Sequence, residues 1–195
     1  TYKSANDYYN SLVSAGAASG SYDKVKLVPF GEYVPFESLV RGITDFFNLP
    51  MSGFSQGNNY PSKLSFNNSL IAPLLCYEVA YPNFSAKQAK AANWLLTVSN
   101  DAWFGESLGP LQHLELAQLR ALENGKPLVR VTNTGISGLV SYLGQLEVSL
   151  PRFTASSAKF ELAPREGQTP FSQLTTWPWL ILSLLLLAWA YLSKK

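Results

Sequence analysis

The 195-residue chain is 47% hydrophobic and only 14% charged, which excludes a disordered, solvated chain and favours a packed or membrane-associated protein. A net charge of +2, without a run of lysine or arginine, argues against a nucleic-acid partner. A single cysteine excludes an intrachain disulfide, and one cysteine with one histidine cannot close a zinc site, so we expect neither a metal nor another cofactor.

The N-terminal third of the chain is predicted to contain two strands, over residues 8–15 and 24–29, joined by a turn rich in glycine and serine. Residues 28–36 contain two prolines and a glycine, so they are expected to form an ordered loop rather than a central strand. A short helix is predicted over residues 37–47, and another loop over residues 50–61.

A buried strand is predicted to end at the only cysteine. Residues 64–75 are strand-like with a turn at Asn67-Asn68, and residues 69–75 are apolar without an interrupting charge. Cys76 follows directly, before a helical pattern over residues 85–93. A reactive group at a tight turn between a strand and a helix is held at the sheet edge, where a substrate can reach it. A lone cysteine is more often a small buried residue, so both interpretations stay open at this point.

The second half of the domain is predicted to continue as alternating strands and helices. Residues 94–99 are apolar and β-prone, which predicts a βαβ unit, and residues 100–105 then form a second strand-end loop on the same side of the sheet. A long helix is predicted from Pro110 to Asn124, with Gly125 as its stop. Further strands are predicted over residues 128–132, 136–142, 146–150 and 157–162.

The composition changes at the C-terminus. No charged residue occurs between residue 167 and Lys194, and residues 171–192 are long enough for the roughly 20 residues that cross a bilayer. Aromatic residues lie near both ends of this stretch, as in membrane-interface belts. We therefore expect two parts, a globular domain over residues 1–166 and a membrane-spanning helix with a short cytoplasmic tail over residues 167–195. A buried C-terminal helix is the weaker alternative, because leucines cover all its faces.

Five motifs in fixed order resemble one protein family. They are Tyr22-Asp23-Lys24; the segment from Leu27 to Pro35; Cys76-Tyr77-Glu78 with Pro82; the segment from Ser99 to Phe104; and Gln112-His113 followed by Arg120 to Asn124. Together they resemble the C-terminal part of the bacterial apolipoprotein N-acyltransferases, the membrane-bound branch of the nitrilase (carbon–nitrogen hydrolase) superfamily. Each motif alone is weak, but five in order are specific.

The resemblance implies an α/β fold, namely part of a nitrilase-like αββα sandwich followed by one C-terminal transmembrane helix. It implies transfer of a fatty-acyl chain from a phospholipid, through a cysteine thioester, to the N-terminal amine of a diacylglyceryl-cysteine lipoprotein. This is the last step of lipoprotein maturation. It also implies a multi-pass protein of the bacterial inner membrane, with its catalytic domain on the periplasmic side.

The resemblance also implies roles for particular residues. The family uses a Glu-Lys-Cys triad, in which Lys24 and Cys76 match the lysine and the nucleophile, and Glu32 matches a second glutamate that supports the site. Tyr77 and Glu78 match the two residues after the nucleophile, which are also expected to matter for activity. The aromatic residues Trp103 and Phe104 are expected either to line the entrance for the acyl chain or to pack in the core.

Elementary chemistry fits these assignments. An ammonium group at Lys24 favours the thiolate of Cys76, and it can donate to the oxyanion of a tetrahedral intermediate together with the backbone N–H of Tyr77. Glu78 is expected either to hold the turn through backbone N–H groups or to act on the substrate. For His113, the only histidine, a hydrogen bond near a helix start is expected rather than a catalytic Cys–His pair.

One departure from the family pattern concerns the triad glutamate. In the family this general base precedes the lysine by many residues, and no glutamate precedes Lys24 here. The leading membrane helices of the family are also missing, so we expect the chain to be part of a longer protein and inactive alone. Two alternatives stay open, a nitrilase-like amidohydrolase with water as the acceptor and a membrane-anchored domain without catalysis.

Overall fold

The computed structural model describes residues 2–4, 7–35, 53–58 and 64–193. The predicted helix over residues 37–47 and half of the predicted loop over residues 50–61 lie outside these ranges. In chain order the strands are β1 (Tyr2–Ser4), β2 (Asp7–Tyr9), β3 (Ser11–Val13), β4 (Ala18–Ser19), β5 (Ser21–Asp23), β6 (Ser65–Phe66), β7 (Ser69–Leu75), β8 (Trp94–Ser99), β9 (Leu128–Thr132), β10 (Gly138–Val140) and β11 (Leu146–Ser149). The helices are α1 (Pro82–Ala89), α2 (Gly109–Asn124), α3 (Pro170–Leu174) and α4 (Trp177–Leu192), with 3₁₀ turns at Cys76–Ala80 and Asp101–Phe104.

Seven of these strands form one sheet in the order β11-β10-β9-β8-β7-β6-β4. Strands β7, β8 and β9 are parallel, and the outer strands on both sides pair antiparallel. In the register, Leu75 lies opposite Val98, and Ser99 lies opposite Thr132, so the carboxyl ends of the three parallel strands meet at one edge. The βαβ unit and the shared side of the two strand-end loops, both predicted from the sequence, are thereby confirmed.

The core lies between the parallel strands and two helices. Helices α1 and α2 pack against each other, α1 contacts β7, and α2 contacts β9 and β10. Leu74, Leu95 and Leu128, one from each parallel strand, are fully buried. Along β8, buried side chains alternate with partly exposed ones, so one face of the sheet is covered more completely than the other. The structure supports the predicted α/β fold, with one large sheet and one helical layer among the described residues.

The N-terminal strands differ from the prediction. Strand β3 pairs with β5 as an antiparallel hairpin, but Lys24 comes after β5, and residues 24–29 do not form the predicted strand. The physical reason is that the backbone N–H groups of Val25 and Lys26 donate to the carboxylate of Glu78 instead of joining a strand ladder. Similarly, residues 8–15 are split into β2 and β3 at Asn10.

The predicted strand over residues 157–162 is wrong. These residues are irregular, and most of their side chains are exposed. Strand β11 pairs with β10 and is the edge strand of the described sheet. Residues 157–162 do not pair with β11 in that sheet.

The C-terminal segment is not one continuous helix. Thr175 adopts a positive φ of 52°, which ends α3 after five residues, and α4 begins at Trp177 and runs for 16 residues. Within the described part of the chain, no helix combines the length and the apolar character needed to cross a membrane. The transmembrane helix predicted over residues 167–195 is therefore not confirmed.

Candidate active site

Cys76 lies at the first position after β7, at the edge where the parallel strands end. Its φ of 52° is in the left-handed region, which costs about 1–2 kcal/mol for a residue with a β-carbon. The thiol is partly exposed, and a 3₁₀ turn and α1 follow it. A strained residue between a strand and a helix is the arrangement that presents a nucleophile above a sheet.

Lys24 and Glu32 form a tight ion pair. Lys24 Nζ lies 2.7 Å from both carboxylate oxygens of Glu32, and Lys24 is only 1% exposed. A buried ammonium needs such a partner, because desolvation of an unpaired charge is costly. The pair therefore lets the protein bury the Lys24 side chain beside an opposite charge.

The start of the loop predicted over residues 28–36 contacts this carboxylate. The Val28 N–H donates to Glu32 Oε2 at 2.8 Å, and Asn10 Nδ2 donates to Glu32 Oε1 at 2.8 Å. The backbone carbonyl of Asn10 also accepts from the Lys24 N–H. Asn10 was not predicted as a site residue, since its position at the break between β2 and β3 carries no local signal.

Glu78 joins the lysine segment to the cysteine segment. Its buried carboxylate accepts the backbone N–H groups of Val25 at 2.8 Å, Lys26 at 2.9 Å and Leu75 at 2.7 Å. Since Val25 follows Lys24 and Leu75 precedes Cys76, one side chain holds the two backbones side by side. The Tyr22 hydroxyl donates to the same carboxylate.

The environment of Glu78 shifts two pKa values. Burial raises the pKa of Glu78, and the hydrogen bonds from Lys26, Leu75 and Tyr22 oppose that rise. Burial, followed by the nearby charge of Glu78, raises the pKa of Tyr22 above its ordinary value. Because every partner of the Glu78 carboxylate named here is a donor, the hydrogen bonds match its ionised form.

Several aromatic side chains follow the ends of β7 and β8. Tyr77 is 44% exposed and meets Tyr81 edge-on at a centroid distance of 5.4 Å. Trp103 is 84% exposed, which excludes the alternative that it packs in the core. Phe104 is less exposed and contacts the ring of His113 at a centroid distance of 6.0 Å.

A buried polar cluster of Ser99, Asp101, His113 and Arg130 lies behind the thiol. Arg130 Nη2 donates to Asp101 Oδ2 at 2.7 Å, Ser99 Oγ donates to Asp101 Oδ1 at 2.6 Å, and His113 Nδ1 lies 3.1 Å from the same Oδ1. Burial alone would raise the pKa of Asp101, but the hydrogen bonds with His113 and Ser99 and the charge of Arg130 hold it below its ordinary value.

Asp101 and Arg130 were not predicted as site residues. Asp101 lies inside one of the resembling motifs, but the resemblance gave it no role. A charged residue such as Arg130 within the apolar strand β9 is a signal that could have found it, because buried charges are paired. For His113 the sequence predicts a hydrogen bond rather than a catalytic Cys–His pair. The geometry agrees, since His113 Nε2 lies 3.1 Å from the backbone oxygen of Cys76.

The arrangement contains a cysteine at the end of β7, a buried Lys24–Glu32 ion pair whose backbone is joined to the cysteine segment through Glu78, and a buried polar cluster. No group of three or more His, Cys, Asp or Glu side chains among the described residues could hold a metal ion. A cysteine nucleophile and a lysine are two of the groups that covalent acyl chemistry at a carbonyl carbon uses, and the general base is the glutamate expected outside this chain.

Comparisons with known proteins agree with this chemistry. A sequence profile described as carbon-nitrogen hydrolase matches residues 3–155. Relatives called apolipoprotein N-acyltransferase include those of Azotobacter vinelandii, 48% identical over 96% of this chain, and Pseudomonas syringae pv. tomato, 46% identical over 96%. A Vibrio vulnificus relative of the same name is 44% identical over 93% of this chain. The chain spans only 36%, 37% and 38% of the lengths of these three relatives.

Two solved structures share the fold. The C. elegans NitFhit protein matches with a TM-score of 0.52 and 19% identity, over 68% of this chain and 32% of that chain. Saccharomyces cerevisiae Nit3, a member of branch 10 of the nitrilase superfamily, matches with a TM-score of 0.51 and 18% identity, over 74% of this chain and 49% of that chain. At these identities the likeness shows the fold alone.

Proposed function

The chain belongs to the carbon–nitrogen hydrolase family, and we propose that it forms part of an N-acyltransferase that moves a fatty-acyl chain onto the N-terminal amine of a diacylglyceryl-cysteine lipoprotein. The observation that carries the proposal is the carboxylate of Glu78, which binds the backbone beside Lys24 and the backbone beside Cys76. These contacts support a site in which the buried Lys24 ammonium acts together with the Cys76 thiol. The names of the relatives support the acceptor class.

In the first half-reaction the Cys76 sulfur attacks the ester carbonyl carbon of a phospholipid. The thiol proton passes to a glutamate that is expected outside this chain, and the carbonyl electron pair moves to oxygen. Lys24 and the Tyr77 N–H stabilise that oxyanion. The carbon–oxygen bond to glycerol then breaks, the released oxygen takes a proton, and a lysophospholipid leaves while the acyl group stays on sulfur as a thioester.

In the second half-reaction the lipoprotein amine attacks the thioester carbonyl carbon. The carbon–sulfur bond breaks, the amine loses a proton to the base, and the amide product leaves with the thiolate restored. A thioester suits this step because it reacts readily with an amine. The same intermediate explains how two lipids that never meet can exchange an acyl group.

The C-terminal helix supports a membrane location for this reaction. No residue of α4 is buried, although nearly all its side chains are apolar. The residue before this helix contacts α1, the helix that follows the Cys76 turn, because Asn83 Nδ2 donates to Thr176 Oγ1 at 3.0 Å. We place α4 in the inner membrane, with the thiol facing the periplasm close to the bilayer surface.

A transfer assay tests the proposal. The protein at its full natural length is incubated with phosphatidylethanolamine vesicles and a synthetic diacylglyceryl-cysteine peptide, and the products are separated by mass. We expect an N-acylated peptide from the unsubstituted protein and none from Cys76→Ala. Release of ammonia from small amides without peptide acylation would contradict the proposal and would favour the amidohydrolase alternative. No turnover of either substrate would favour a non-catalytic domain.

A further inference from the structure

The backbone oxygen of Cys76 accepts a hydrogen bond from inside the protein. His113 Nε2 lies 3.1 Å from this oxygen, and His113 itself is buried. A carbonyl oxygen can only accept, so Nε2 must carry the proton. The imidazole ring is thus fixed in orientation directly beneath the nucleophile.

The other side of the ring is held by charge. His113 Nδ1 lies 3.1 Å from Asp101 Oδ1 and 3.2 Å from Arg130 Nη2. In the neutral ring Nδ1 accepts from Arg130, and in the charged ring it donates to Asp101. Both states keep the proton on Nε2, so the bond to Cys76 does not depend on the protonation of the ring.

The hydrogen bond acts on the peptide unit between Cys76 and Tyr77. The carbonyl of Cys76 and the N–H of Tyr77 belong to the same planar trans unit and point in opposite directions. A donor that fixes the carbonyl on the protein side therefore aims the N–H away from the interior. A hydrogen-bonded carbonyl also polarises its amide, which makes the N–H a stronger donor.

We propose that His113 is a positioning residue that aims and polarises the Tyr77 N–H toward the oxyanion formed during acyl transfer. Asp101 and Arg130 fix the orientation of the His113 ring through their contacts with Nδ1. The inference rests on the proposed function, in which Cys76 attacks an ester carbonyl. His113 touches neither the substrate nor the sulfur in this role, and acts only through the peptide that follows the nucleophile.

Two substitutions of His113 separate positioning from simple stabilisation. His113→Phe keeps a ring but removes the donor, whereas His113→Gln can place an amide N–H near the former Nε2 position. Asn124→Leu is the matched control, because it removes a buried hydrogen bond, from Asn124 Nδ2 to the Arg120 carbonyl at 2.8 Å, at the other end of the same helix. Thermal unfolding of all three shows which proteins are folded at the assay temperature.

The readout compares two reactions of Cys76 in the protein at its full natural length. Acylation by p-nitrophenyl palmitate forms an oxyanion, and its rate is the burst of p-nitrophenol. Alkylation by iodoacetamide forms a carbon–sulfur bond with loss of iodide and needs no oxyanion donor. For His113→Phe we expect acylation to slow about 10–100-fold, with the half-saturating ester concentration unchanged, and alkylation to stay within about threefold. His113→Gln should recover most of the acylation rate, and Asn124→Leu should acylate normally.

Several results would overturn the inference alone: normal acylation by folded His113→Phe, equal loss of acylation and alkylation, or no recovery in His113→Gln. A protein that forms acyl-Cys76 with these rates, but does not acylate the lipoprotein peptide, would contradict the proposed function and leave the inference standing. Absence of any acyl-Cys76 in the unsubstituted protein would overturn both.

Discussion

At the residue scale, the site depends on a cation that the protein has removed from water. The side chain of Lys24 is fully buried, and among the described residues its charged partner is Glu32 at 2.7 Å. Breaking such a pair by removing one partner is far more destabilising than replacing both, because a buried charge is left without compensation. The stability of the domain and the charge of its site are therefore coupled through one carboxylate.

We expect Glu32→Gln to lower the free energy of unfolding by about 3 kcal/mol, because the buried ammonium loses its counter-charge. Chemical denaturation followed by circular dichroism measures the change. The double variant Lys24→Met/Glu32→Gln should lose less stability than Glu32→Gln alone. Glu115→Gln, a change of the same type on the exposed face of α2, is the control and should stay near wild type. Equal stability of the two glutamine variants would contradict the account of the ion pair.

Motifs in the sequence identify Lys24, Glu32 and Cys76, because each lies in a distinctive local segment. The positions of these three residues relative to one another could not be predicted from local motifs. They depend on Glu78, whose partners Val25 and Lys26 lie about 50 positions away in the chain. Local pattern alone suggested a strand over residues 24–29, and the distant carboxylate overrides that preference.

At the scale of elements, three parallel strands determine which groups meet. Strand β7 delivers Cys76, β8 delivers Asp101, and the turn after β9 delivers Asn133, whose side chain accepts from the Asp101 N–H at 3.0 Å. The alternation of strands and helices predicts this edge from sequence. The pairing of Asp101 with Arg130 could not be predicted, because it depends on the register between β8 and β9.

Gly135, in the turn between β9 and β10, packs closely against Asp101. A β-carbon at Gly135 would lie 2.1 Å from Asp101 Oδ2, so we expect Gly135→Ala to displace this carboxylate from Arg130. Overpacking of this kind costs about 1–3 kcal/mol, and acylation of Cys76 should slow several-fold if Asp101 holds His113. Thermal unfolding and the ester burst measure the two effects.

Gly53→Ala is the matched control, because no atom of the described residues lies within 4 Å of a β-carbon there and its φ is not positive. It should change stability by less than about 0.5 kcal/mol. If Gly135→Ala proves as harmless as Gly53→Ala, the turn does not position Asp101 and the cluster is less rigid than described.

At the scale of the whole molecule, an apolar helix follows the α/β domain. The sequence indicates an uninterrupted apolar span over residues 171–192, but the positive φ of Thr175 separates α3 from α4. Composition alone could not show this break, because Thr175 and Thr176 fit an apolar window without a charge. The exposed leucines and tryptophans of α4 still form the largest apolar surface named here.

We expect the 195-residue chain, produced without the membrane helices that are expected upstream in the full-length protein, to bind vesicles of phosphatidylethanolamine and phosphatidylglycerol through α4. Leu184→Lys/Leu186→Lys should abolish co-flotation with the vesicles, because each lysine costs about 3 kcal/mol near the bilayer centre. Leu119→Lys/Leu122→Lys, which alters two exposed leucines of α2, is the control and should still co-float. Equal binding by the two double variants would show that α4 does not carry the membrane contact.

The central claim is that the Cys76 sulfur carries the acyl group between donor and acceptor. Intact-mass spectrometry of the full-length protein, mixed with phospholipid but without a lipoprotein acceptor, tests it most directly. We predict a mass increase of one fatty-acyl group on Cys76 that hydroxylamine removes, and that Cys76→Ser abolishes or makes resistant to hydroxylamine. An unmodified Cys76 in a preparation that acylates the lipoprotein peptide, or an acyl group on any other residue, would contradict the account.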